Sequence, residues 1–297
     1  MPRVQVGERN LDLGNLDKVL YPETGFTKAG VIDYYTRIAP VMLPHLAGRP
    51  LSLRRCPDGV DADCFFEKRC PGHHPDWLPV HRMRSERSGH IGFCGADDPP
   101  ALVWLANQAV LEIHPYLHLA SAPECPTALV FDLDPGPPAG LAEACRVGLL
   151  LRGLLAEMGL DCLPKTSGGK GLHLVAPLNT EVTHARTKRF ARAVAETLTR
   201  DDPARVTATM AKAERAGKVF IDWSQNDAHK TTVAVYSLRI GPVPRVSAPV
   251  TWDELESALA DGDIDRLRLG PDAVLARADA RGDLFQPVLT RRQRLQD

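Results

Sequence analysis

No uninterrupted apolar run in this 297-residue chain reaches the ~18 residues that a membrane span needs. The opening, MPRVQVGERNLDLGNLDKVLYP, lacks an apolar signal core and a cleavage site, so a cytoplasmic protein is expected. There is no excess of one charge: 36 Lys+Arg stand against 37 Asp+Glu. That balance excludes a globally basic nucleic-acid coat but not a local basic groove. Internal repeats and low-complexity tracts are absent. Seven cysteines, an odd number, do not suggest a disulfide scaffold, and a reducing compartment is expected. What is present is globular: 44% hydrophobic and 25% charged residues, enough for one large domain or two small ones.

The 25 prolines punctuate the chain, most clearly at Asp97-Asp98-Pro99-Pro100 and Pro135-Gly136-Pro137-Pro138, which read as turns or loops. Thr27 can cap a helix through Met42 that ends before Pro44. Residues 51–55 and 63–67 read as short extended segments. ALVFDLD, residues 128–134, is a buried strand ending in two acids. Leu141 to Leu160 has helical period, Leu172 to Ala176 is a short strand, and Thr183 caps a basic helix through Arg200. Lys218 to Trp223 reads as a third strand and Thr231 to Ile240 as a fourth. Thr251 and Glu254 form a capping box, and the chain beyond residue 270 is expected to wrap the body. The expectation is an α+β fold: a mixed, largely antiparallel central sheet flanked by helices in residues 126–297. A smaller α+β module in residues 1–125 would pack against it.

Asp132 and Asp134 flank one leucine at a strand end. Side chains two apart share a face, so two carboxylates project together, roughly 6–7 Å apart at Cα. Like charges this close repel unless a cation lies between them, and Mg²⁺ or Mn²⁺ accepts such oxygens. Asp222 supplies a third carboxylate from another strand end. Alone, DxD before Pro-Gly is an ordinary solvated turn; the second acidic strand end and the loop that follows argue otherwise.

Thr166-Ser167-Gly168-Gly169-Lys170-Gly171-Leu172-His173 is neither a P-loop nor GxGxxG. Its glycines let backbone N–H groups approach an anion, and Lys170 and His173 add donors. The plain alternative is a tight strand connection with an incidental lysine. Between His184 and Lys230 lie ten Lys+Arg and six Asp+Glu, enough to line a phosphate groove; solvated charge explains Arg186–Arg192 equally well. Arg215 and Lys218 precede the Asp222 strand, and Arg239 lies on the following one. Phe65-Phe66, among Arg54, Arg55, Lys68 and Arg69, suits base stacking, with at most one ring facing a core. Cys64, Cys70, His73 and His74 are weighed as zinc ligands, without a CxxC pair to support them. Asn15, Lys18 and Lys28 lie near the start of the first helix and can bind an anion there.

Together NLDKVLYP, DYYTRIAP, FFEK, NQAVLEIHP, FDLDPG, TSGGKGLH and KVFIDWSQN resemble, in order, the polymerase domain of bacterial ligase D, of the archaeo-eukaryotic primase superfamily. The likeness runs from about Asn15 to Leu255. With no KxDG adenylation motif, a stand-alone form or an excised domain is expected. The resemblance implies that Asp132, Asp134 and Asp222 hold two divalent ions, Mn²⁺ or Mg²⁺. Ser167, Lys170, His173, His114, Arg215 and Arg239 would bind the incoming NTP or dNTP. Asn15, Lys18 and Lys28 would hold the 5′-phosphate of a DNA gap, and Phe65 and Phe66 would stack on bases. Val235 stands where the family pattern has proline, and the cysteines of Cys56–Cys70 are unusual. The implied activity is primer extension and short gap filling at DNA ends, favouring ribonucleotides, in non-homologous end joining. The implied partners are broken DNA, Ku and a separate ATP-dependent ligase, near the nucleoid. Two other readings are a non-catalytic end-bridging module that recruits Ku and a ligase, and a metal-dependent nuclease.

Overall fold

The strand Ala128–Pro135 is buried from Ala128 to Phe131 and then alternates, with Leu133 and Pro135 buried and Asp132 and Asp134 partly open. That pattern belongs to a central strand whose far end leaves the core. The computed structural model that contains it describes residues 2–85 and 89–296. Contacts divide the chain into two units. One comprises Met1–Ser121, Thr231–Ser247 and Gly270–Asp283; the other comprises Ala122–Lys230, Ala248–Leu269 and Leu284–Asp297. A single cut after residue 125 therefore does not describe the partition, because the chain returns to the first unit twice.

In the second unit five strands form a mixed sheet in the order Leu163–Thr166, Leu172–Pro177, Ala128–Pro135, Val219–Asp222, Val206–Thr207. All neighbours are antiparallel except the last pair. The expected α+β class with a mixed sheet is what forms. The helices Leu141–Glu157 and His184–Asp201 bury Leu151, Leu155, Val194 and Leu198 in one core with Leu129, Phe131 and Leu174. Their starts follow the capping chemistry: Thr183 Oγ1 accepts from Arg186 N at 3.3 Å. The helix Trp252–Asp261 has the expected box, with Glu254 N donating to Thr251 Oγ1 and Thr251 N to Glu254 Oε2. The basic face of His184–Asp201 is largely spoken for. Lys188 pairs with Asp227 at 2.6 Å, and Arg192 with Glu196 at 2.8 Å.

In the first unit Leu51–Arg55 is the middle of a three-stranded sheet between Phe65–Glu67 and Val110–Pro115. The helix Lys28–Leu46, capped by Thr27, buries Val31, Tyr35, Ile38, Met42 and Leu46. It does not stop before Pro44 but runs through both Pro40 and Pro44, held by this continuous buried face. Asp97-Asp98-Pro99-Pro100 is likewise a helix start rather than a plain loop. Asp98 Oδ1 accepts from Ala101 N at 2.9 Å, and Pro99 opens the helix Pro99–Asn107, where its missing N–H costs nothing.

Thr231–Ile240 is not a further strand of the second unit's sheet. Ala234 N donates to Ile113 O at 2.8 Å, and only Leu238–Arg239 forms a strand, paired with Arg245–Val246 in the first unit. Its alternation announces extended backbone and says nothing of the partner. The residues beyond 270 also divide: the helix Pro271–Arg281 lies in the first unit and Leu284–Asp297 in the second.

The expectation of no disulfide pairing is overturned. Cys56 is bonded to Cys64, and Cys70 to Cys94; Cys125, Cys145 and Cys162 are free. This also removes the zinc reading, because Cys64 and Cys70 are spent in different bridges and a disulfide sulfur is no thiolate ligand. His73 instead meets Gln108 at 3.2 Å, and His74 Nδ1 lies 3.1 Å from Pro75 O. The short strand Phe65–Glu67 is thus stapled just before it and shortly after it. The denatured, unreduced chain should expose three thiols to alkylation and the reduced chain seven, counted by mass spectrometry. Replacing Cys70 and Cys94 by Ser opens a 24-residue separation and should cost roughly 3 kcal/mol in denaturant melts. An unchanged midpoint would contradict the bridge.

Candidate active site

The geometry of the acids follows from strand register. Asp132 and Asp134 share one face, and Asp222 lies directly opposite Asp132 in the antiparallel pair. Opposed residues in such a pair have Cα atoms about 4.5–5.5 Å apart. Three carboxylates therefore leave neighbouring strand ends together. Their side chains have separate partners, however. Asp132 Oδ1 faces His173 Nε2 at 3.3 Å. Asp134 faces Lys170 Nζ at 3.0 Å and Arg215 Nη1 at 3.7 Å. Asp222 Oδ1 accepts from Ser224 N and Oγ at 3.0 and 2.6 Å, and Oδ2 accepts from Gln225 Nε2 at 3.0 Å. Among the described residues no three His, Cys, Asp or Glu side chains are gathered closely enough to hold a metal ion. The backbone thus sets out an oxygen-rich donor set that suits a hard cation in its chemistry, while the side chains are turned to other groups.

The glycine loop lies against this strand end. Ser167 Oγ accepts from Gly169 N at 3.2 Å and Gly171 N at 3.1 Å, so the hydroxyl organises the turn. Lys170 Nζ reaches Pro135 O at 2.7 Å. A Cβ on Gly171 would stand 2.6 Å from Leu133 O, so only glycine lets the loop rest on the acid strand. Gly136 has the same role on the other side: a Cβ there would meet Arg215 O at 2.0 Å. Arg215 is held by stacking on Phe220, 3.7 Å from the ring centroid, and by donating to Met210 O at 2.6 Å. Ser167, Lys170, His173 and Arg215 are thereby assembled with the three acids in one unit. The Lys170–Asp134 pair is well exposed, so its contribution to stability is small and its partners can exchange for others.

The remaining sequence candidates lie in the first unit. His114 Nε2 is 2.9 Å from Glu112 Oε2, and Arg54 and Arg239 approach the same carboxyl at 3.6 and 3.4 Å. Ile240 N donates to it at 2.9 Å. Glu112 is 1% exposed. Burial alone would raise its pKa, but the His114 hydrogen bond, the Arg239 and His114 charges and the Ile240 N–H outweigh that and hold it at about 2. Phe66 stands edge-on to His114 at 5.4 Å, with Arg54 5.4 Å from its centroid. Both Phe65 and Phe66 are exposed, at 45% and 57%, so neither ring faces the core.

Asn15, Lys18 and Lys28 line a cleft of about 190 Å³ with Arg55 and Gln108. Lys28, 7% exposed, donates to Gly14 O at 2.6 Å, and Lys18 pairs with Asp58 at 2.6 Å. Burial, and to a lesser degree the charges of Lys18 and Arg55, lower the Lys28 pKa.

Sequence reasoning passed over Glu112, Gln225 and Lys165. Glu112 was signalled by being polar within an apolar run, two residues before His114. Gln225 sat inside a recognised motif. Lys165, 3% exposed with Nζ 3.0 Å from His173 Nδ1, gave no signal at all.

Acidic strand ends thus lie under a cation-bearing glycine loop on a mixed sheet, an arrangement in keeping with the primase-polymerase class. Residues 27–285 match the model of the LigD primase-polymerase domain, and the chain belongs to that family. It is 45% identical over 278 residues to the multifunctional non-homologous end joining protein LigD of Mycolicibacterium smegmatis, covering 93% of this chain and 36% of that protein. With the Bacillus subtilis bifunctional LigD the identity is 31% over 266 residues, covering 87% of this chain and 42% of that protein. The chain thus spans about two-fifths of the length of these relatives. Among solved structures, the polymerase domain of Mycobacterium tuberculosis ligase D in complex with DNA superposes with a TM-score of 0.87 at 42% identity, covering 95% of this chain and 99% of that one.

The buried Glu112 predicts an acid dependence. Its folded pKa, about 2, lies below the ordinary 4.5, so it adds stability that is complete above 4.5 and is lost as pH falls from 4.5 toward 2. Glu112→Gln should be less stable at neutral pH and flatten that part of the stability–pH curve, read from urea melts between pH 7 and pH 2.5. An unaltered slope would refute the assignment.

Proposed function

We propose that this chain extends primers across short gaps at broken DNA ends, favouring ribonucleotides, in non-homologous end joining. The observation that carries it is the placement of Ser167, Lys170, His173 and Arg215 against the Asp132–Asp134–Asp222 strand ends. Asp132, Asp134 and Asp222 would hold two divalent ions, Mn²⁺ or Mg²⁺. When bound, such ions acidify the attacking 3′-hydroxyl and neutralise charge on the departing pyrophosphate.

The chain's own groups do the rest. Lys170 and Arg215 now face Asp134 and are placed to exchange that carboxylate for triphosphate oxygens. His173 Nε2–H orients a phosphate beside Asp132. Fixed donors of this kind contribute by holding the reacting atoms in line and stabilising charge as it develops. By the family resemblance, His114 and Arg239 of the first unit would also bind nucleotide.

In the first unit, the Asn15, Lys18 and Lys28 cleft would take the 5′-phosphate on the downstream side of the gap. Phe65 and Phe66 are exposed platforms for unpaired bases. Relatives of this chain carry end joining in their names and one solved relative is in complex with DNA, which supports DNA ends as substrate; Ku, a separate ligase and a cytoplasmic, nucleoid-associated setting belong to the same proposal.

The decisive measurement is Mn²⁺-dependent extension of a labelled primer on a gapped, 5′-phosphorylated duplex. Asp132→Ala or Asp134→Ala should lower the rate ~10³-fold or more. Retention of DNA without extension by the unaltered chain would favour the bridging reading, and shortening of the primer a nuclease. Lys18→Ala with Lys28→Ala should reduce by about tenfold the preference for a 5′-phosphate over a 5′-hydroxyl in a DNA-binding titration. Equal weakening on both substrates would remove the phosphate pocket.

A further inference from the structure

Four side chains stand in one row across the second unit's sheet. Lys165 is the register partner of His173, His173 of Asp132, and Asp132 of Asp222. Residues opposed in register share a sheet face, so the row runs from the edge strand to the acids. Lys165 and His173 are 3% and 4% exposed. The edge strand that carries Lys165 is covered by the segment 248–250: Thr166 N donates to Ala248 O at 2.8 Å and Val250 N to Pro164 O at 3.2 Å. An ammonium group is rarely buried so far unless it is engaged.

We propose that Lys165 is a positioning residue that fixes the ring orientation and tautomer of His173, so that Nε2–H is presented to the acids and to the nucleotide's phosphates. A lysine ammonium has donors and no acceptor. Its Nζ lies 3.0 Å from His173 Nδ1, so Nδ1 must accept. The neutral imidazole then carries its proton on Nε2, which lies 3.3 Å from Asp132 Oδ1. A ring rotated by 180° would place carbon against the ammonium and lose this contact. Lys165 thus orients His173 from behind, as outer partners orient metal-binding histidines.

The inference rests on His173 serving the nucleotide, but its first test does not. In the full chain labelled with ¹⁵N-histidine and free of metal, long-range ¹H–¹⁵N spectra should show His173 as the Nε2–H tautomer. An Nδ1–H tautomer in the unaltered protein overturns the proposal, whether or not any variant folds. Lys165→Met should give mixed or exchanging His173 tautomers and raise KM for the nucleotide about tenfold in the extension assay, with kcat changed less. Lys165→Arg, which keeps a donor, should recover most of that loss. Wild-type tautomer signals in Lys165→Met, or changed signals with an unaltered KM, would each count against the positioning role. Absence of extension by the unaltered chain, with the tautomer as expected, would instead overturn the polymerase reading and leave the Lys165–His173 geometry standing.

Discussion

Three carboxylates at adjacent ends of antiparallel strands repel one another, and much of the second unit is arranged around that repulsion. Alternation places Asp132 and Asp134 on one face, and register brings Asp222 opposite Asp132. Each acid then has its own compensation. His173 serves Asp132, Lys170 and Arg215 serve Asp134, and the backbone and side-chain donors of Ser224 and Gln225 serve Asp222. The glycines at 136 and 171 are the steric condition for this, since a methyl group at either would push the cation-bearing segments off the strand. The residues that neutralise Asp132 and Asp134 are also of the kind suited to phosphate oxygens.

The first unit reverses the ratio. One buried carboxylate, Glu112, is approached by Arg54, Arg239 and His114, so positive charge remains in excess around it. Removing one member of such a cluster is costly because the others are left desolvated. A second basic group lines the Asn15–Lys18–Lys28 cleft, and two exposed phenylalanines stand on a strand braced by disulfides. The net charge of −1 conceals this distribution entirely.

Much of the local structure was legible because its causes are local. Thr27, Thr183 and Thr251 cap helices where capping chemistry requires, and the apolar runs at 128, 172 and 219 are strands. Prolines misled in two places for one reason. At Pro44 a buried helical face prevailed over a breaker, and at Pro99 a missing N–H fell where none was needed. The acids and the glycine loop were found because two-residue spacing and clustered glycines have direct geometric consequences. Lys165 was not, because one lysine in an apolar stretch looks like any other until strand register sets it beside a histidine.

The sequence by itself determined the strand that bears Asp132 and Asp134, the common face of those two carboxylates, and a glycine turn carrying Lys170 ahead of the His173 strand. These are properties of neighbours along the chain, governed by backbone alternation and glycine sterics. Tertiary structure alone decided that Asp222 would oppose Asp132 and that residues 231–247 would join the first unit. It also decided that four cysteines would pair and that Lys165 would lie behind His173. Each of those outcomes depends on distances between residues far apart in the chain, which only packing of the whole core fixes.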